Sequence, residues 1–198
     1  VASLLLPRRL RRPVSAIYHF ARTADDFADE GDFPASVRLA RLAHFDAQLD
    51  RIARGEPAQE PLFVELARVI ETHRLPLAPF HALISAFSQD CVKSRYADYA
   101  ELLDYSRRSA NPIGRLLLHL FDASAPDTVV CSDCICTALQ LINFWQDVAI
   151  DYAKDRIYLP LEDLQRFAVS EAQHGRGIPD SSFRALMRFQ IARTRALL

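Results

Sequence analysis

The sequence predicts an all-α protein, and three observations support this prediction. Apolar residues recur with helical spacing along most of the 198 residues. Glycine is scarce, at five residues, and most prolines fall between the periodic segments. The sequence contains no alternating segment long enough for a useful strand, no internal repeat and no linker-like stretch. We therefore expect a single helical domain over residues 1–198.

The predicted helices follow proline and glycine signals along the chain. Their approximate bounds are 13–30, 34–54, 61–74, 79–93, 98–121 and 126–154, followed by shorter helices at 160–167 and from 170 and a last helix from 180. The first is expected to begin at Pro13, because proline is favoured in the first turn of a helix. Asn111, Pro112 and Gly114 should interrupt the fifth helix, because a proline inside a helix removes a hydrogen bond.

Composition and charge exclude several classes of partner and cofactor. Lys and Arg number 24 against 25 Asp and Glu, so no overall field attracts nucleic acid or an anionic membrane. A Gly-x-Gly-x-x-Gly motif and a P-loop are both absent, and NADPH is therefore not expected. The sequence contains no apolar stretch of about 18 residues, which predicts no transmembrane helix. A cytoplasmic location is expected, with oligomeric state open.

A basic cluster precedes the first predicted helix. Its members are Arg8, Arg9, Arg11 and Arg12. We interpret the cluster as a solvated helix start, with peripheral contact to anionic lipid as the alternative.

Three of the four cysteines crowd together at Cys131, Cys134 and Cys136. A zinc site would need a fourth ligand with suitable spacing, and no second Cys or His pair supplies one. We interpret the three as small apolar residues of a buried helix. The sequence begins at Val1 and stops within a helical pattern, and we expect a fragment truncated at both ends.

The first predicted helix carries a cluster of aspartates near its end. Asp25 and Asp29 are four residues apart and therefore lie on the same helical face, one turn from each other. Arg22 and Tyr18 extend this stripe toward the N-terminus. Two unpaired carboxylates on one face repel each other and destabilise a helix, whereas with a cation bound between them they stabilise it. The alternative interpretation is a solvated acidic face.

The sixth predicted helix carries a longer polar row. Asn143, Asp147 and Asp151 follow each other at intervals of four, and Gln140 lies three residues before Asn143. The apolar residues around the row should shield its charges from bulk water, and shielded charges need partners. Hard oxygen ligands of this kind favour Mg²⁺, which commonly binds few carboxylates together with phosphate oxygens. The two rows together therefore suggest a site for several Mg²⁺ ions and a diphosphate.

At these residues the sequence resembles the squalene/phytoene synthase family. The resemblance is carried by two aspartate-rich motifs, ARTADDFAD at 21–29 and QLINFWQDVAID at 140–151, and by DRIYLP at 155–160 and the stretch from Tyr105 to Gly114. It implies a terpenoid-synthase-like helical bundle with a central cavity, in which the two motifs lie on facing helices. Within the family, the second motif looks most like bacterial hydroxysqualene synthases, and DCVKSRY at 90–96 and SANPIGR at 109–115 point the same way.

The resemblance also implies roles for individual residues. Mg²⁺ would be bound by five residues, which are Asp25, Asp29, Asn143, Asp147 and Asp151. Arg22 would contact the diphosphate. Tyr18, Tyr105 and Gln140 would line the reacting centre, although an ordinary core tyrosine is an equal alternative for Tyr18 and Tyr105. Arg95 and Tyr96 would assist at the phosphate end.

The reaction implied by the resemblance is the conversion of presqualene diphosphate and water to hydroxysqualene. One enzymatic alternative is the condensation of two farnesyl or geranylgeranyl diphosphates to presqualene diphosphate, squalene or phytoene. A non-catalytic assembly protein that retains the fold is the alternative from another class. The intact set of five ligand-type residues favours an enzyme.

Overall fold

The computed structural model describes residues 6–31, 33–172 and 180–198, and helices dominate them. In chain order the helices are α1 (Arg8–Asp29), α2 (Ala35–Ala53), α3 (Pro61–His73), α4 (Ala78–Asp90), α5 (Tyr99–Ser109), α6 (Asn111–Leu120), α7 (Pro126–Gln146), α8 (Val148–Ala153), α9 (Leu161–Arg166) and α10 (Ser181–Arg195). Within these ranges, β-type pairing is confined to one isolated parallel bridge between Arg95 and Ile157. The predicted all-α fold class is therefore confirmed. The helix predicted from Ser170 falls largely on residues 173–179, which lie outside the described residues.

The described chain forms two compact units. The first unit comprises the described residues up to Val92 together with Pro112–Val129. The second unit comprises Lys93–Asn111 and the described residues from Val130 onward. In the first unit, α1 packs against α2, α3 and α4. Phenylalanine rings fill the core between them. The ring of Phe20 meets Phe80 edge-on at 5.3 Å, and Phe45 meets Phe63 at 4.8 Å. Such edge-to-face contacts add to the stabilisation from burial alone.

The first helix begins five residues earlier than predicted. Pro13 lies inside α1 and is buried, as are Leu10 and Ile17 on the same face. Burial of Leu10 favours extension of the helix toward the N-terminus, although Pro13, in the second turn, cannot donate an N–H to the carbonyl of Arg9. The cluster of four arginines is consequently part of the first two turns of α1. One of them, Arg12, donates from Nη2 to Glu65 Oε2 at 2.7 Å.

The second unit is held together by a buried polar network as well as apolar packing. Gln190 of α10 donates from Nε2 to Asp163 Oδ2 at 3.0 Å, and Arg193 Nη2 lies 2.6 Å from the same oxygen. The Arg193 guanidinium lies 3.6 Å from the ring centroid of Tyr99. Burial lowers the pKa of Arg193 and raises the pKa of Tyr99. The buried carboxylate of Asp163 thus has the partners that a buried charge requires.

Two predicted helices are interrupted. The predicted break near Asn111 and Pro112 is confirmed, because α5 ends at Ser109 and α6 begins at Asn111. The helix predicted over 126–154 instead breaks at Asp147, whose φ of −93° and ψ of 9° fall outside the helical region.

Helix α7 differs from its prediction in two further respects. The sequence was predicted to contain no apolar segment long enough to span a membrane, but α7 is long and apolar enough to do so. The core helix of a soluble protein can have the same length and composition. One face of its second half is buried in the folded chain, and this face is formed by Thr137, Ala138, Leu141, Phe144 and Trp145. Cys131 is exposed, and Cys134 and Cys136 are half-buried, so the interpretation of these cysteines as residues of a buried helix is wrong.

Candidate active site

The negative charge of the aspartate cluster on α1 is partly offset by one arginine of the same helix. Arg22 Nη1 lies 3.2 Å from Asp25 Oδ2, and Arg22 Nη2 lies 2.8 Å from Asp26 Oδ1 and 3.0 Å from Glu30 Oε1. Asp25 is half-buried and Asp29 is exposed. One guanidinium therefore offsets the repulsion that consecutive carboxylates on one face would otherwise produce.

Exposure of the cluster keeps it available to an ion from solution. The Arg22 side chain is 50% exposed, so its ion pairs are screened and each contributes little to stability. Tyr18, one turn before Arg22, is 61% exposed, and its ring centroid lies 6.0 Å from that of His19. The role of Tyr18 at a reacting centre and that of Arg22 toward diphosphate stay predictions.

The second row keeps its helical register although the helix breaks within it. The Asp147 N–H donates to the Asn143 carbonyl at 2.9 Å, and the Asp151 N–H donates to the Asp147 carbonyl at 2.8 Å. These two bonds are the i to i−4 pairs of an α-helix, so the three residues stay one turn apart. The non-helical angles at Asp147 redirect the chain there without losing either bond.

The row is more open than predicted. Asn143 and Asp147 are exposed and Asp151 is half-buried. The apolar residues around the row were predicted to shield it, but two of them, Leu139 and Ile150, are 55% and 60% exposed. They fail to shield it because helical periodicity places them on the same side as Asn143, whereas the buried face is formed by neighbours such as Phe144.

Four aromatic rings pack together in the second unit, and two of them were predicted to face substrate. Tyr96 and Tyr105 are nearly fully buried, with ring centroids 5.6 Å apart. Tyr158 stacks on Phe144 at 3.8 Å with an interplanar angle of 8°, and it also contacts Tyr96 at 5.6 Å. Tyr158 was not among the predicted site residues, although it lies within DRIYLP, one of the segments that carried the resemblance.

The contacts of Arg95 in this structure are with protein groups. Arg95 Nη2 donates to Asp155 Oδ1 at 2.7 Å and to Glu171 Oε2 at 3.1 Å. The hydrogen bonds that Arg95 donates to Glu171 and, to a smaller extent, to Asp155 raise the pKa of Arg95. Next to it, the Ile157 N–H donates to the Ser94 carbonyl at 2.9 Å. Arg95 thus ties together two loops of the second unit, and its predicted role toward phosphate stays a prediction.

The donor atoms of both rows fit magnesium better than a softer metal. All five predicted ligands offer carboxylate or amide oxygen, and Gln140, half-buried one turn before Asn143, adds another amide. Among the residues that the structure describes, no three His, Cys, Asp or Glu side chains are gathered closely enough to form a metal cage. A site that binds Mg²⁺ through few carboxylates, with phosphate oxygens completing the shell, fits this arrangement. That the two rows face each other stays a prediction.

Comparison with known proteins identifies the family to which the chain belongs. The sequence profile of the family described as squalene/phytoene synthase matches residues 1–198. The chain belongs to the squalene/phytoene synthase family. Its relatives include the 15-cis-phytoene synthase of Synechocystis sp., 34% identical over 98% of this chain and 61% of the relative. They also include the hydroxysqualene synthase of Rhodopseudomonas palustris, 38% identical over 83% of this chain and 55% of the relative.

Solved structures of family members confirm the predicted fold. The squalene synthase HpnC from Alicyclobacillus acidocaldarius superimposes with a TM-score of 0.90 at 36% identity, covering 98% of this chain and 73% of that structure. A dehydrosqualene synthase solved in complex with ligand gives a TM-score of 0.88 at 28% identity, covering 99% of this chain and 68% of that structure. The chain spans 55–66% of the length of the first curated relatives that it matches, which include the two above.

Proposed function

We propose that the protein is a magnesium-dependent hydroxysqualene synthase, which converts presqualene diphosphate and water to hydroxysqualene and diphosphate. The observation that supports this most is the row of Asn143, Asp147 and Asp151, whose helical register is maintained across a helix break by two backbone hydrogen bonds. Similarity to hydroxysqualene synthases, at 38% identity for the Rhodopseudomonas palustris enzyme, favours this reaction within the family.

The two rows would supply the oxygen ligands for Mg²⁺. When bound, the metal would neutralise the diphosphate as its carbon–oxygen bond breaks. Asn143 provides a neutral amide oxygen beside the carboxylate of Asp147, which moderates the negative charge of the row toward a polyanionic substrate. On α1, Arg22 would exchange its carboxylate partners for a phosphate oxygen, because a guanidinium binds both kinds of oxyanion.

The aromatic residues would act on the hydrocarbon part of the substrate. Ring faces attract a carbocation through their quadrupole, and Tyr105 and Tyr158, whose ring centroids lie 6.1 Å apart in the second unit, would supply such rings. In the overall reaction, the bond from carbon to the diphosphate oxygen breaks, the resulting cation rearranges its carbon skeleton, and the cationic carbon of the rearranged skeleton bonds to the oxygen of water. That water loses one proton, which leaves with the diphosphate. Gln140 would orient this water by hydrogen bonding.

The test is a product assay on the full-length protein. The protein is incubated with presqualene diphosphate or farnesyl diphosphate, each with Mg²⁺ and with or without NADPH, and the lipid is identified by mass spectrometry. We expect hydroxysqualene from presqualene diphosphate, with no requirement for NADPH. Squalene formed from farnesyl diphosphate would reject the assignment.

Head-to-head condensation is the second candidate, and one comparison favours it. The phytoene synthase of Synechocystis sp. is 34% identical over nearly the whole chain, which is close to the value for hydroxysqualene synthases. Both reactions use the same metal and diphosphate chemistry. With geranylgeranyl diphosphate added as a third substrate of the assay, formation of phytoene from it, or of presqualene diphosphate from farnesyl diphosphate, would establish this alternative. A non-catalytic assembly protein would yield no product, and its melting temperature would not rise when Mg²⁺ and diphosphate are added.

A further inference from the structure

A buried hydrogen bond anchors α7 just behind the second row. Trp145 Nε1 donates to Thr194 Oγ1 of α10 at 2.9 Å, and both residues are buried. The Thr194 hydroxyl in turn donates to the Gln190 carbonyl at 2.8 Å. Trp145 lies midway between Asn143 and Asp147 in the sequence, on the opposite side of the helix from both.

Helix α10 is itself fixed at this point, so it can serve as a reference for α7. Gln190 and Arg193, on the same stretch of α10 as Thr194, both contact the buried carboxylate of Asp163 in α9. Arg193 also covers the ring of Tyr99 at the start of α5. A hydrogen bond to Thr194 therefore ties α7 to a part of the second unit that is held from two other directions.

We propose that Thr194 is a positioning residue for the metal-binding row, acting through Trp145. This proposal rests on the proposed function. Helix α7 ends at Gln146, so the orientation of Asn143 and Asp147 depends on how its last turn is held. The stack of Phe144 on Tyr158 restrains that turn at one point, and the bond from Trp145 to Thr194 restrains it at a second. If the Thr194 hydroxyl is removed, the Trp145 indole N–H is left buried without an acceptor. The last turn of α7 can then rotate into orientations in which the indole N–H is hydrogen bonded.

The test uses full-length protein and inorganic diphosphate as the probe. Binding of diphosphate at saturating Mg²⁺ is measured by isothermal titration calorimetry for wild type, Thr194→Val and Thr194→Ser. We expect Thr194→Val to raise the apparent Kd about 10-fold or more, as removal of outer-shell partners of metal ligands commonly does. Thr194→Ser retains the hydroxyl and should stay within about twofold of wild type by the same reasoning.

A matched control lies on α7 itself. Thr137 is, like Thr194, a buried threonine, and its hydroxyl donates to Asn111 Oδ1 at 2.9 Å. Thr137→Val should lower the melting temperature as Thr194→Val does, yet leave diphosphate binding unchanged, because it lies ten residues before Asp147. Equal losses of affinity in the two valine variants would overturn the proposal, as would failure of Thr194→Ser to restore binding.

Three further outcomes are informative. If Thr194→Val does not fold, Trp145→Phe can be used instead, because it removes the donor of the same hydrogen bond. Trp145→Phe should weaken diphosphate binding to a similar extent. Unchanged binding in Trp145→Phe would overturn the proposal. If wild type shows no Mg²⁺-dependent diphosphate binding, the proposed function fails and the role of Thr194 falls with it. Wild-type binding that Thr194→Val retains in full would refute the positioning role alone.

Discussion

The two acidic rows are held in different ways. On α1, an uninterrupted helix, the carboxylates are restrained by charge, because Arg22 bridges Asp25, Asp26 and Glu30 along the exposed surface. The row that begins at Asn143 crosses a helix break and is restrained by packing, because its buried neighbours stack on or hydrogen bond to other elements of the second unit.

This difference has a consequence for how each row would respond to a ligand. Exposed ion pairs exchange easily, so the row on α1 can release Arg22 when a metal or an anion arrives. Buried stacking and buried hydrogen bonds hold one geometry and resist rearrangement. We therefore expect the second row to provide the fixed frame for the metal and the first row to adapt to it.

The largest expected effect follows from changing the centre of the fixed row. Asp147→Asn retains the shape of the side chain but removes its charge, and we expect the rate of product formation to fall about 100-fold or more. The measurement is the product assay at saturating Mg²⁺. Asp127, an exposed aspartate in the first turn of α7, provides the control, and Asp127→Asn should retain wild-type activity. A similar rate in both variants would contradict the assignment of Asp147.

A smaller effect is expected from loosening the packing behind the row. Tyr158→Ala removes the ring that stacks on Phe144 at 3.8 Å, and we expect a loss of about 2 kcal/mol in the free energy of unfolding. Tyr158→Phe retains the ring and should lose less. Urea denaturation of the three proteins measures the difference. If alanine and phenylalanine cost the same, the stack does not stabilise the end of α7.

The smallest effect on stability is expected at the row on α1, which is restrained by charge. Arg22→Gln leaves the carboxylates of α1 to repel each other and should cost about 1 kcal/mol or less without metal, because the ion pairs are exposed. Mg²⁺ should restore the melting temperature by replacing the lost positive charge. Arg108→Gln breaks a comparable pair with Asp104 on α5 and should show no such rescue. Absence of rescue in Arg22→Gln would argue against metal binding on α1.

Local patterns in the sequence predicted most of the helices correctly. Pro61 and the Asn111-Pro112 pair mark boundaries that the structure confirms, because proline acts on its own turn and needs no distant partner. The spacing of Asn143, Asp147 and Asp151 likewise predicted a common face, and their backbone hydrogen bonds agree with it. The break at Asp147 has no proline or glycine beside it, so no local signal announced it.

Contacts between distant residues could not be predicted in this way. The partners of Arg95 are Asp155 and Glu171, which lie 60 and 76 residues further along the chain. The buried group of Asp163, Gln190 and Arg193 depends on the same kind of long-range packing. Periodicity reports which face of a helix is apolar, but it does not report which element will cover that face.

The bridge between Arg95 and Ile157 has a consequence for how the protein folds. It joins segments about 60 residues apart, so the entropy of closing that loop must be overcome before the contacts can form. The packing of α1 against α4 in the first unit is equally long-range, since Phe20 and Phe80 lie 60 residues apart, whereas the hydrogen bonds within each helix are local and form quickly. We expect the segments around Tyr96 and Tyr158 to acquire their native protection against hydrogen exchange later than the individual helices during refolding, so that a nascent chain completes this group of rings only after its helices have formed.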